Sequence, residues 1–564
     1  MSSRFAGAVV LISAVCGVSG FGDGQDAAKG PTVVVIRGAT LIPFHGDATR
    51  LGSQTVIVRG GRIAWVGPAQ SAPKVENART VSAEGKYLIP GLIDAHVHLF
   101  DESQLALYLA NGVTSVFNMT GTPRILTWRD EIKAGARVGP TIFTTGPQIK
   151  DKPLPVYDGV IAVESVAEVP QLIQIHREMG YEMVKIWSSL PPHVYDAIAR
   201  ECRTSGLRLT GHVPSRVGLR GALASGQESV AHLEELVNKF FNRNLDRNGF
   251  ANAAAILREA NVPVITTIST YAMIVDTGCD ERLAARLARP ENRYLDPMLL
   301  ELWKPESNEY RHLMDRRDYF EKARLFQIDM AKALHDRGVT LLAGTDAGLF
   351  MPNIVPGWSL HRELEFLARS GLTPADVLRA ATAAPGDYLD AGSGRGRIRV
   401  GAPADLVLLN KDPLDAIGHT RSIEAVVANG VYYARDDLDE MLESVASGHD
   451  RARKFLTQLL SAGAQAAIRE VREAVEQHGD AALLSESSLL TAAYLLAKQD
   501  KTDDSIAVAR LTRRLHPKSY LAAYFHAGLC EMGGMAEERR EALREVLRLV
   551  PRHAQARRIL DRMK

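Results

Sequence analysis

Between residues 32 and 88, apolar and polar positions alternate in short runs, TVVVIRGATLI, QTVIVRGGRIAWVG and KYLIPG, punctuated by Gly-Gly and Pro-Ala. A period of two buries one face of each run and wets the other, so this stretch reads as a small antiparallel β-unit. The pattern returns in GRIRVGAPADLVLLN and IEAVVANGVYY. The two flanks, 31–90 and 397–435, are therefore expected to build one composite β-sandwich. Between them, short apolar runs alternate with helical stretches. Eight runs read as strands: 88–99, 114–119, 141–148, 182–189, 208–215, 228–235, 262–269 and 340–348. Eight strand–helix units across 91–396 predict an α/β fold of the (β/α)8, or TIM, barrel type, with its active site at the C-terminal strand ends. The long connection Thr270–Tyr319, with Tyr271, Trp303 and Tyr310, is expected either to cover the barrel mouth or to run as a surface insertion.

From about Asp439 onward the pattern turns helical, and Gly and Pro thin out. Pro517/Pro551, Leu515/Leu549, Ala493/Ala527, Leu495/Leu529 and Leu490/Tyr524 are each 34 apart. That is the period of a tetratricopeptide-like (TPR-like) helical hairpin, predicted here over 440–564. Ser505, Arg539 and Val546 depart from the small residues such a repeat takes, and only two repeats show. A generic helical bundle packed on the barrel is the alternative. At the other end, MSSRFAGAVVLISAVCGVSGFGDG carries one Arg, an apolar stretch over Phe5–Val18 and then small residues. It reads as a secretory signal peptide over 1–22, hence an exported, periplasmic or secreted protein. Cys16 follows Ser-Ala-Val, a poor lipoprotein box, and its lipidation is left open.

Composition narrows the classes. Lys+Arg (67) and Asp+Glu (66) cancel to a net +1, so no basic field exists to hold nucleic acid. Four scattered cysteines make neither a disulfide framework nor a thiolate zinc site. Beyond the N-terminus no apolar run reaches the ~18 residues of a membrane span.

The chemistry lies at the strand ends. His96 and His98 end strand one, and residues i and i+2 of a strand face the same way. A divalent ion accepts two such neutral nitrogens. Lys185 ends strand four within an apolar run, where an ammonium needs an anion or must lose its charge. His212 ends strand five, His232 strand six and Asp346 strand eight. Five strands aim such groups at one rim, which predicts a metal site. Glu234 and Glu235, which follow His232, are candidates for supporting hydrogen bonds behind the metal site or else mark a solvated helix start, and Asp94 reads as a structural carboxylate at a strand end. His361, at the start of the helical run HRELEFLARSG, and Tyr157 and Tyr271, in loops after strands, are candidate substrate contacts.

PGLIDAHVHL, VKIW, GHVP, AHLEE and GTDAG, with the closing phrases LTPADVLRAATAAPG and GRIRVGAPADLVLLN, resemble the signature set of the metal-dependent amidohydrolase superfamily. The likeness spans about 32–435 and is nearest the imidazolonepropionase-like and Xaa-Pro dipeptidase-like branch. The resemblance implies two divalent metals, one held by His96, His98 and Asp346 and the other by His212 and His232. It implies a carbamate on Lys185, formed with carbon dioxide, bridging both. The donors suit zinc, while manganese, cobalt and iron stay open. It further implies attack by metal-bound hydroxide, with Asp346 as the catalytic proton shuttle. Lys185 argues against the one-metal deaminases of the superfamily. The expected activity is hydrolysis of an amide C–N bond in a small-molecule or peptide substrate, a dipeptide or N-acyl amino acid. Cyclic amides, lactones or esters on the same metals remain the alternative substrate class. A scaffold whose helical tail recruits a protein partner, or a second copy of the chain, is the alternative from outside enzymology.

Overall fold

A computed structural model of the chain describes residues 33–152, 157–348 and 351–563. The expected export signal, with Cys16, lies outside them. The molecule is mixed α/β with a helical C-terminal region. Strands from both flanks share one sheet: Leu406–Leu409 pairs antiparallel with Tyr87–Pro90 on one side and with Ile423–Ala428 on the other. Val33–Leu41 pairs antiparallel with Leu51–Arg59 but parallel with Arg79–Ser82 and Tyr87–Pro90. The expected all-antiparallel arrangement is thus mixed, because alternation fixes which face is buried and not the direction of a neighbour. Ile36, Leu41, Val58, Leu88, Leu406 and Val427 make this sheet's own core.

The run 88–99, expected as one strand, is two. Tyr87–Pro90 belongs to the shared sheet, and after Gly91 the chain enters a second system as Leu92–Val97. There it pairs in parallel with Val113–Asn118, which pairs with Thr141–Thr144. Met183–Ile186, Arg208–Gly211, Ser229–Ala231, Val264–Ile265 and Leu341–Leu342 follow, each parallel to the next. Backbone bonds join the two series: Gly146 N–H to Met183 O (2.9 Å), Ala95 N–H to Ala343 O (2.9 Å) and His98 N–H to Ala347 O (2.7 Å). The eight strands, numbered one to eight below in this order, form a ring. They are apolar and almost wholly buried, as parallel strands covered on both faces must be. A short extra pair, Gln148–Lys150 with Val160–Ala162, sits beside strand four.

The connection Thr270–Tyr319 is only in part a surface insertion: helix Ile268–Thr277 with Tyr271 packs into the main core and helix Pro297–Trp303 with Trp303 against the tail, while helix Asp280–Leu287 is buried only at Leu283. Helix Arg435–Gly448 sends Leu438, Leu442 and Val445 into the main core. Beyond it, helices Glu486–Lys498 and Thr502–Leu515 pair, and Tyr520–Met532 and Ala536–Leu549 repeat the arrangement. Among the described residues no helix is long and apolar enough to cross a membrane.

Candidate metal centre

Strand one delivers His96 and His98 to the end of the ring where strand eight delivers Asp346. Asp346 Oδ1 lies 3.1 Å from His96 Nε2 and 2.9 Å from His98 Nε2. The His232 ring, from strand six, lies 4.4 Å from the His96 ring between centroids, and the His212 ring, from strand five, 4.8 Å from that of His232. Donor atoms of His96, His232 and Asp346 come within 4.8 Å of one another. Lys185 is fully buried at the end of strand four. No Cβ fits beside it at Gly211, where one would stand 3.0 Å from Lys185 Cδ and 2.4 Å from Ile186 O, and φ is +130°.

Each ring is oriented by a neighbour. His98 Nδ1 is 2.5 Å from Thr120 Oγ1, His232 Nδ1 2.8 Å from Thr267 Oγ1, and His212 Nδ1 3.1 Å from Glu235 Oε1. The other oxygen of Glu235 accepts from Val213 N–H at 2.8 Å. Trp187 packs against His212, ring centroids 4.1 Å apart. Asp94 accepts from Thr345 Oγ1 (2.7 Å) and from the Thr345 and His96 amides, tying strand one to strand eight. The backbone itself is strained here. His232, Thr267 and Asp346, following strands six, seven and eight, have φ of +78°, +43° and +64°. Left-handed non-glycine residues gather where a side chain must be aimed against local preference.

The electrostatics fit cation binding. Burial, aided by the nearby Lys185, pushes His96 down to about 3, and burial lowers His212 and His232 as well. All three are neutral donors at pH 7. Burial alone would raise Asp346, but the His96 and His232 rings hold it well below the usual carboxylate range. Burial pushes Lys185 down to about 8. Lys185 Nζ and His212 Nε2 are buried without hydrogen-bond partners. Such orphaned atoms are costly unless something binds them, and here an amine and a neutral nitrogen stand beside the Asp346 carboxylate. The residues present fit a divalent-metal group. A second set with donors in mutual reach, His526, Cys530 and Glu538, is saturated by cations: Arg513 Nη1 donates to His526 Nδ1, and Arg510 forks onto Glu538.

A family model, that of the amidohydrolase family, matches residues 87–432. The chain belongs to the amidohydrolase family. Among curated relatives of this amidohydrolase, the ochratoxinase of Aspergillus niger is 22% identical over 450 residues, covering 68% of this chain and 82% of that one. An imidazolonepropionase of Caulobacter vibrioides is 43% identical over 61 residues, 11% of this chain and 15% of that one. The first two curated relatives it matches, both deaminases by name, are spanned over only 30% and 15% of their lengths. A solved Xaa-Pro dipeptidase with bound methionine superposes with a TM-score of 0.54 at 17% identity, over 71% of this chain and all of that one.

The expected substrate contacts separate. Tyr157 borders the centre, its hydroxyl bonded to Thr120 and within the field of Asp346. Tyr271 is not in a loop. It sits buried in helix Ile268–Thr277, edge-on to Phe320, and faces Glu234. His361 is corrected: it is a buried helix residue whose Nδ1 lies 2.8 Å from Thr420 Oγ1 and whose Nε2 lies 3.0 Å from Asn111 O. Both its nitrogens are spent on packing, and neither is left for a substrate. Of the two glutamates, Glu235 gives the supporting hydrogen bond, to His212, while Glu234 contacts Thr270 instead of a histidine. Thr120, Thr267 and Trp187 went unpredicted, since a threonine or tryptophan after an apolar run carries no signal of its own.

Proposed function

We propose that this amidohydrolase cleaves an amide bond of a dipeptide or N-acyl amino acid at a binuclear centre. His96, His98 and Asp346 would hold one divalent ion and His212 and His232 the other, zinc being the best match to the donors. Lys185 would span both as its carbamate. The observation that carries this reading is Lys185: buried, poised toward its neutral amine, unpartnered, and set among histidines. Its amine adds to carbon dioxide with loss of one proton, which replaces a misplaced cation by an anion with two donor oxygens. Two bound divalent ions supply Lewis acidity toward the scissile carbonyl and lower the pKa of water. The chain's own part follows from its contacts. Thr120, Glu235 and Thr267 fix the imidazole tautomers and angles. Trp187 walls off His212 from water. Asp346 accepts a proton at Oδ1 and returns it to the leaving nitrogen, which departs poorly without it.

This reading takes the ring as a (β/α)8 barrel flanked by a composite β-sandwich, the tail as a TPR-like pair of hairpins, and the N-terminus as an export signal. The test is metal analysis of the purified protein, with and without 13C-bicarbonate, followed by a screen of dipeptides, N-acyl amino acids and lactones. Two metals per chain and a 13C carbamate resonance lost in Lys185→Ala are expected. Two metals and undiminished turnover in Lys185→Ala would refute the bridge. Turnover of lactones alone would refute the amide assignment.

A further inference from the structure

The helical tail lies beyond the residues matched by the family, yet it reaches the metal end of the ring. It touches loops that leave the C-terminal ends of strands. Arg124, after strand two, pairs with Glu486 at 3.0 Å. Asp296, in the connection after strand seven, bonds Ser488. Arg558 bonds Ala162 O and pairs with Glu168 at 2.7 Å. The centre of this junction is Asp158, a carboxylate only 4% exposed. A buried carboxylate is tolerated only when it is fully bonded. Tyr520 Oη donates to its Oδ2 at 2.9 Å and His553 Nε2 donates to its Oδ1 at 2.6 Å. Both donors come from the tail. His553 has its tautomer fixed, because its Nδ1 accepts from Ala556 N–H at 3.1 Å as it caps helix Ala554–Arg562. Tyr524 stacks on the same ring, centroids 5.0 Å apart. Tyr520 Oη also accepts from Arg124 N–H at 3.3 Å.

The neighbours of Asp158 both press on Thr120, the residue that orients His98. Tyr157 bonds the Thr120 hydroxyl. Gly159 lies so near that a Cβ there would stand 2.1 Å from Thr120 Cγ2. Three consecutive residues therefore connect the tail to the centre: the middle one is held by Tyr520 and His553, and the outer two clasp Thr120. We infer that the C-terminal helices buttress the wall of the substrate site, with Tyr520 and His553 acting as positioning residues that hold Tyr157 and Thr120 in place through Asp158. The inference rests on the amide-hydrolysis reading for its substrate. It also means that the tail face bearing Tyr520, His553 and Arg558 is occupied within the chain, not offered to a partner.

The experiment uses full-length, metal-loaded protein. Tyr520→Phe and His553→Gln each remove one bond to Asp158 while keeping most of the side chain's bulk. Val546→Ala, in the core of the same tail, matches them for loss of tail stability without touching Asp158. On dipeptide and N-acyl amino acid probes, the two joint variants are expected to lose about tenfold or more in kcat/KM, chiefly through KM, because misplacement of a site wall by a fraction of an ångström has that scale of effect. Their preference between short and long acyl groups should shift, while Val546→Ala keeps wild-type constants. Joint variants kinetically indistinguishable from Val546→Ala would overturn the inference. A wild type inactive on every probe would overturn the hydrolysis reading. The joint is then decided by hydrogen exchange over residues 157–163, where faster exchange in Tyr520→Phe than in Val546→Ala supports it and equal exchange overturns it.

Discussion

Asp346 lies within 3.1 Å of two imidazole nitrogens and adopts φ +64°, a region asparagine tolerates as well as aspartate does. Asp346→Asn therefore keeps the backbone and removes the proposed proton acceptor. Its kcat should fall by about 10³ with the thermal midpoint little changed, within the usual contribution of a positioned acid–base group. Steady-state kinetics with calorimetry checks this, and near-wild-type turnover would remove Asp346 from its role. A second residue-scale prediction concerns His176. Its Nδ1 is 2.9 Å from Leu172 O, and burial holds it below the ordinary histidine range. The unfolded chain takes up a proton near pH 6.5 that the folded chain refuses. The stability His176 contributes is thus complete above that value and lost as pH falls below it, by up to about 1.4 kcal/mol per pH unit. Urea unfolding at pH 7.5 and 5.5 should show a smaller difference in His176→Leu than in wild type. At this scale the sequence was most legible where one strand carries its own signal. His96 and His98 share a face by the period of two, and Lys185, His212, His232 and Asp346 each end an apolar run. Thr120, Thr267 and the pairing of Glu235 with His212 arise from contacts between strands, which no single run encodes. His361 misled because the start of a helix after strand eight is near the rim in sequence, while its ring turns away to Thr420 and Asn111.

Among elements, Glu363 ties helix Trp358–Arg369 to the end of strand seven. Its carboxylate accepts from Thr266 Oγ1 (2.6 Å), Ser269 Oγ (2.7 Å) and the amides of Ile268 (2.8 Å) and Ser269 (2.9 Å). Four donors converge on two oxygens beside the strained Thr267 that orients His232. Glu363→Gln turns one of those acceptors into a donor facing donors, which costs about 2–3 kcal/mol. A matching fall in the urea midpoint is expected, with weakened retention of metal; an unchanged midpoint would show the anchor to be dispensable. The eight ring strands were legible as apolar runs, but their ends were not. Strand seven has only two paired residues, Val264 and Ile265, where the run suggested eight. Thr266 still donates its N–H to Leu342 O at 2.9 Å while its hydroxyl meets Glu363, and Thr267 turns out of the strand to meet His232, a tertiary demand that overrides local pattern. Likewise 88–99 divides at Gly91 because Leu88 and Ile89 pair with Leu408 and Val407, some three hundred residues away in sequence. Alternation reports burial, and it cannot say which sheet does the burying.

For the molecule as a whole, the question is where the ring ends and the tail begins. Composition places that boundary near residue 440, where Gly and Pro thin out. Packing places it elsewhere: Leu438, Leu442 and Val445 of helix Arg435–Gly448 are buried in the main core, and this helix lies against Ser103–Ala110, the first helix after strand one. Leu495, well inside the tail, belongs to the same core. The 34-residue spacing was legible because each hairpin repeats its own contacts, whereas the docking of the tail depends on single pairs such as Asp158 with His553, which leave no period. A ring and a tail whose buried residues meet in the main core at these positions should unfold as one unit. Leu438→Ala removes a fully buried side chain beyond the family-matched segment, and a cavity of that kind costs about 2–5 kcal/mol. If ring and tail are one cooperative body, calorimetry of Leu438→Ala will show a single transition moved to lower temperature, with the loss of ring and tail signals coinciding. Two separated transitions, with the ring's unmoved, would mean that the tail is an independent appendage. The joint at Asp158 could not then hold the wall of the metal centre.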